Sequence, residues 1–127
     1  MKLKGLIKES SFGDLKASEN DYITYEDVQN LKVGNWKSST DNMSGSIYWY
    51  NTKEKDGEPL YATPSWEDQF GWVPFDDSDG NHYGDLDFSK NPKKFKGNKK
   101  LQIKAYLSAV KIAIKKLEMN KERELNK

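Results

Sequence analysis

The chain of 127 residues contains no cysteine and a single histidine. Without thiols, disulfides, zinc–thiolate sites, iron–sulfur clusters and cysteine nucleophiles are all excluded. No run of about 18 apolar residues occurs, so no segment is suited to span a bilayer as a helix. The opening MKLKGLIKES has basic residues but neither an apolar central region nor a small-residue cleavage site, and the expectation is a soluble, cytoplasmic protein without a signal peptide. Catalytic signatures are missing too. There is no G-x-S-x-G elbow, no H-E-x-x-H, no P-loop and no dinucleotide fingerprint, since Gly71, Gly80 and Gly84 stand too far apart. Lysine and arginine are absent from Asp56 to Ser89, a stretch with nine acids.

Aliphatic residues are also few. The apolar fraction is 35% against 32% charged, a balance that leans toward disorder, whereas an aromatic fraction of 13% leans against it. Four Trp, seven Tyr and five Phe imply one core built on large rings in one ordinary domain. The net charge of +1 conceals a division. Residues 1–89 carry 17 acids and 8 bases (−9), and residues 90–127 carry 13 bases and 3 acids (+10). Such asymmetry bears on partners rather than on fold.

Along the chain, KLKGLIK (2–8) suits a short strand or an irregular arm. Thr24 followed by Asp27 forms a capping-box pattern, which predicts a short helix over TYEDVQNLK ending before Gly34. SIYWYN is aromatic and β-branched, KEKDGEP offers an Asp-Gly turn and PLYATP returns, predicting a hairpin over 46–63. Ser65 is placed to cap a single helical turn, GWVPF reads as a strand, DSDGN as a turn and HYGDLDF as its return. NPKKFKGNKK (91–100) is rich in breakers and bases and predicts a basic linker over 90–98. From residue 99 a period of about 3.6 puts Ile103, Tyr106, Leu107, Val110, Ala113, Ile114 and Leu117 on one stripe and Lys104, Lys111 and Lys115 on another, predicting a helix over 99–119. The expected fold is α+β. A small antiparallel sheet with a short N-terminal helix carries a long amphipathic C-terminal helix on one face, as one domain over 1–119 with a frayed tail at 120–127.

The segment WVPFDDSDGNHYGDLDF (72–88) concentrates five aspartates, the histidine and four aromatics. Its aspartates miss the EF-hand register: with Gly80 at the sixth position, the first falls on Phe75 and the twelfth on Leu86. A looser cation site from Asp76, Asp77, Asp79 and Asp85, as in a metal-dependent hydrolase, is one reading, and a base–orienter pair of His82 with Asp85 or Asp79 serving a nearby Ser or Thr nucleophile is another. Asp85, Asp87 and Lys90 lack the spacing of a metal nuclease. The reading preferred on these residues is non-enzymatic, with no catalytic, cofactor or metal site. In it Asp76, Asp77, Asp79 and Asp85 steer a basic protein partner, and Trp66, Trp72 and Tyr83 anchor it. The alternative is nucleic-acid binding through Lys93, Lys94, Lys96, Lys99, Lys100 and Lys104, although these lysines also suit neutralisation of the acidic half of the same molecule.

Trp72-Val73-Pro74-Phe75, Gly80-Asn81-His82 and Asp85-Leu86-Asp87 together resemble the central signature of the SMI1/KNR4 (SUKH) superfamily, a W-[IV]-P-[FI] strand, a D-x-x-G-N turn and a D-L-D segment. The resemblance implies an α+β protein-binding domain, which in bacteria often serves as an immunity protein that neutralises a toxin. Phe88 stands where that family usually has Pro after D-L-D, and its L-P-x-x-Y segment is not found here. The Lys/Asn-rich composition equally suits an anti-defence protein of a phage or mobile element acting on a host protein.

Overall fold

A computed structural model describes residues 21–54, 56–66 and 69–125. The arm expected at residues 2–8 lies outside the described residues. Six antiparallel strands follow one another in sequence and in space: β1 (Lys32–Val33), β2 (Trp36–Thr40), β3 (Ile47–Asn51), β4 (Leu60–Tyr61), β5 (Trp72–Asp77) and β6 (His82–Asp87). Two helices follow, the four-residue α1 (Pro92–Phe95) and the long α2 (Lys99–Leu125). The α+β expectation holds, with the long helix across one face of the sheet.

Period-two patterning explains that face. Trp36, Ser38, Ile47, Trp49, Leu60, Val73, Phe75 and Asp77 are buried while their neighbours along each strand are more exposed. From α2 they meet Tyr106, Val110, Ala113, Ile114 and Leu117. Ile103 and Leu107 sit at the border of the predicted stripe and are half-buried.

Two polar side chains tie the layers together. The Trp49 indole N–H donates to the Tyr106 hydroxyl at 3.0 Å, and that hydroxyl donates to the Ala62 carbonyl at 2.6 Å. Burial pushes the Tyr106 phenol well above its ordinary 10.0, so it remains a neutral donor. Gln102, which the apolar stripe did not include, is fully buried. Its Oε1 accepts from the Ile23 amide at 2.8 Å, and its Nε2 donates to the Asp21 and Phe95 carbonyls at 2.7 and 2.6 Å. One amide thereby satisfies three backbone groups from two chain segments, residues 21–23 and Phe95.

Several local expectations change. The capping box is present, the Asp27 carboxylate accepting from the Thr24 amide at 2.9 Å, but the helix it starts is one 3-10 turn, Tyr25–Val28. Beyond it the chain enters the β1–β2 hairpin, which Gly34 turns at φ +58°. The buried Ser38 hydroxyl draws the segment into the sheet by donating to Val28 O and accepting from Leu31 N. At Ser65 (φ +59°) the hydroxyl donates to Ile23 O, and Trp66 opens a turn, its carbonyl accepting from the Gln69 amide at 3.0 Å; the rest of the helical turn expected there falls on residues 67 and 68, outside the described residues. The basic linker contains α1, with Pro92 in its first turn and Phe95 packed on Phe88 at 4.8 Å between centroids. Asn98 accepts from Leu101 N to cap α2, which runs on to Leu125, so most of the tail expected to fray is helical.

Tyr106→Phe keeps the ring but strands the Trp49 donor and the Ala62 carbonyl. It is expected to lower stability by about 1–3 kcal/mol without changing the far-UV spectrum, as measured by urea unfolding. A change within experimental error would remove this bond from its structural role.

Candidate functional site on the uncovered face of the sheet

Residues that alternate with the core positions form the second face of the sheet. The register places Lys37 beside Tyr50, Ser39 beside Tyr48, Tyr48 beside Tyr61, and Tyr61 beside Asp76. Farther on, Pro74 faces Asp85, Trp72 faces Asp87 and Asp76 faces His82. Among the described residues no helix covers this face. Its rings are half-buried against one another, Tyr48 lying 6.0 Å from Tyr50 and 6.5 Å from Tyr61 between centroids.

Two clefts open here, with Tyr61 as a shared wall. One of about 620 Å³ runs along Tyr48, Tyr50 and Pro59 toward Thr40 and Asp41. The other, about 290 Å³, is lined by Ser46, Tyr61, Thr63, Trp66, Trp72, Pro74, Asp76 and His82. Trp66 is 39% exposed and stands over this second cleft from the loop after β4. Trp72 is held in place because its indole N–H donates to Asp85 Oδ2 at 2.9 Å. His82 Nδ1 lies 2.7 Å from Asp76 Oδ1, at the floor of the hairpin. Asp76, Asp85 and Asp87 make the β5–β6 end of the face negative, while the bases Lys32 and Lys37 lie at the β1–β2 end.

The seven residues expected to meet a partner therefore separate. Trp66, Trp72, Asp76 and Asp85 converge on one face. Asp77 does not, and its assignment as a steering charge is corrected: it is 6% exposed and points to the helix side. It accepts from the Tyr83 hydroxyl at 2.6 Å, from Asn81 Nδ2 at 2.9 Å, and from the amides of Asp79 and Asn81. Tyr83 is turned the same way, its hydroxyl accepting from Asn120 on α2, so it ties the hairpin to the helix. It occupies an irregularity in the β5–β6 ladder, opposite Phe75 and Asp76. Burial and the bond to Asp77 push its phenol up to about 12. Asp79 is exposed at the hairpin tip, where Gly80 turns the chain at φ +88°.

The other candidate chemistries fare as follows. The cation reading required Asp76, Asp77, Asp79 and Asp85 to converge, but Asp76 and Asp77 project from opposite faces. Glu58, Asp77 and Asp79 do approach within 4.8 Å. Glu58 is engaged by Ser78 through its amide and hydroxyl, and Asp77 by the four donors above. His82 pairs with Asp76 rather than Asp85 or Asp79. The Ser and Thr hydroxyls in its cleft bond elsewhere, Thr63 Oγ1 accepting from Ile47 N and Ser46 Oγ accepting from Ser44 Oγ.

Of the lysines, Lys96 pairs with Asp21 at 3.9 Å and Lys99 with Asp27 at 3.3 Å, so part of the basic segment neutralises the acidic body. Lys93, Lys94, Lys100 and Lys104 are exposed, Lys94 lying 5.1 Å over the Phe95 ring. Tyr48, Tyr50 and Tyr61 are the face residues that sequence reading did not single out. Their signal was present in IYWYN, where tyrosines alternate with Ile47 and Trp49.

The Asp77 carboxyl is pushed up by burial, but its hydrogen bonds to Tyr83, Asn81 and Asp79 outweigh this and leave it below the ordinary 3.8. A depressed folded value stabilises the fold above 3.8, and that contribution disappears as pH falls from there toward the folded value. Asp77→Asn is accordingly expected to cost about 1–3 kcal/mol at pH 7 and to flatten the loss of stability below pH 4. Asp79→Asn should change neither. Unfolding curves from pH 2 to 7 provide the check; an unaltered acid limb in Asp77→Asn would contradict the assignment.

In comparisons with known proteins, the chain matches no family model, no curated protein and no solved structure.

Proposed function

We propose that the chain is a protein-binding module whose uncovered sheet face engages a basic partner, without chemistry of its own. The observation that carries this reading is the second, unburied aromatic set: Tyr48, Tyr50, Tyr61, Trp66 and Trp72 share one face with Asp76, Asp85 and Asp87. Large rings held away from the core are costly to leave wet and are the residues that dominate interface energetics. The acids beside them accelerate the encounter with a positively charged surface. The resemblance of residues 72–88 to the SUKH superfamily points the same way, and on it we extend the reading to an immunity or anti-defence factor that blocks its basic partner. Nucleic-acid binding through Lys93, Lys94, Lys100 and Lys104 is the competing reading.

The test is affinity capture from the native host with four baits: the parent chain, Tyr48→Ala/Tyr61→Ala, Asp76→Lys/Asp85→Lys, and Lys100→Glu/Lys104→Glu. The expected outcome is a basic protein retained by the parent and the lysine variant after nuclease treatment and lost, by about ten-fold or more, from the two face variants. Loss confined to the lysine variant, or release by nuclease, would transfer the function to the helix.

A further inference from the structure

We infer that the smaller cleft is a receptor for one arginine side chain of that basic partner. This inference rests on the protein-binding reading and specifies what the face recognises. Three rings, those of Tyr61, Trp66 and Trp72, line the cleft together with the carboxylate of Asp76. Aromatic faces attract a cation through their negative quadrupole, and a planar guanidinium also stacks on them. A carboxylate at the same site adds charge-assisted hydrogen bonds with the fork geometry that arginine supplies.

Two features show that the cleft is arranged in advance. The bond from the Trp72 indole to Asp85 fixes the ring, so its face is presented without a further loss of side-chain freedom on binding. His82 occupies only Oδ1 of Asp76, and among the described residues Oδ2 has no partner. A volume of about 290 Å³ suits a side chain rather than a whole folded element. The larger cleft along Tyr48 and Tyr50 continues from Tyr61 and offers room for the backbone on either side of the arginine.

The four tryptophans give a direct readout, because each indole N–H has its own nuclear magnetic resonance signal. Trp49, buried and bonded to Tyr106, is the internal reference for an intact fold. The full chain is titrated with a short Gly-Gly-Arg-Gly-Gly peptide, with the same peptide carrying uncharged citrulline, and with a neutral malto-oligosaccharide. The arginine peptide is expected to move the Trp66 and Trp72 signals, leave Trp49 in place, and bind at least ten-fold more tightly than the citrulline peptide. Asp76→Asn should weaken it by roughly ten-fold, and Trp66→Ala by about five-fold.

Equal shifts with the citrulline peptide, no shift with arginine, or shifts with the sugar alone would each overturn the arginine receptor. The two proposals fail separately. If the peptide does not bind while capture of the basic partner still depends on Tyr48 and Tyr61, the cleft assignment falls and the face reading stands. If capture ignores the face variants, the face reading falls.

Discussion

The fold depends on one buried hydroxyl. Tyr106 reaches from the long helix into the centre of the sheet, receives the indole N–H of Trp49 and donates to the Ala62 carbonyl. Its ring also lies 6.2 Å from both Trp49 and Phe75, so a single side chain contacts β3, β5 and the end of β4. Fully burying an aromatic ring removes about 150–250 Å² from water, roughly 4–6 kcal/mol of gross transfer free energy. That sum is available only if the polar atoms on the rings find partners. Trp49 and Tyr106 satisfy each other and Ala62 completes the chain, which is why a sequence so poor in aliphatics can support a core.

From this constraint the two-faced character of the sheet follows. Locking Trp49 against the helix commits Ile47 to the same side, and the pleat sends Tyr48 and Tyr50 to the other. Register carries the commitment across the strands to Tyr61, Asp76, Pro74 and Trp72. The uncovered face is thus the geometric complement of the core, set by the residue that bolts the helix down. A one-residue slip in β3 would exchange tyrosines for Trp49 and Ile47 and destroy both faces at once.

Much of this was legible from residue pattern. The hairpin over 46–63, the hairpin of 72–88 and the start of the long helix at Lys99 all emerge from alternation, turn chemistry and a 3.6-residue period. What pattern does not carry is long-range polar satisfaction. Gln102 looks like a polar interruption at the margin of an apolar stripe, yet it is buried because Ile23, Asp21 and Phe95 need partners there. The same limit hid β1 and β2: Ser38 is an unremarkable serine until its bonds to Val28 and Leu31 are seen. Local propensity favoured a helix over TYEDVQNLK, and tertiary pairing stopped it after one turn. At the site, composition found the acids and rings of 66–88, while Tyr48 and Tyr50 required knowing which face the helix takes.

Asp76 and Asp77 show most clearly why composition alone overstates a charged cluster. They are adjacent and chemically identical, and the pleat gives them opposite tasks. Asp77 turns toward the helix, where four donors hold it and it closes the β5–β6 turn. Asp76 turns outward beside His82 and the open cleft. Asp21 and Asp27 are likewise drawn into the fold, pairing with Lys96 and Lys99. The acids that remain facing outward beside aromatic rings, Asp76, Asp85 and Asp87, therefore form a subset sorted by structure. The basic C-terminal segment satisfies part of the molecule's acidity from within, at Asp21 and Asp27 and, through Lys121, at Glu54. On the sheet face, by contrast, the two bases Lys32 and Lys37 lie at the β1–β2 edge, away from the three carboxylates on β5 and β6, and that separation of charge is the physical reason to look for a cation arriving from another molecule.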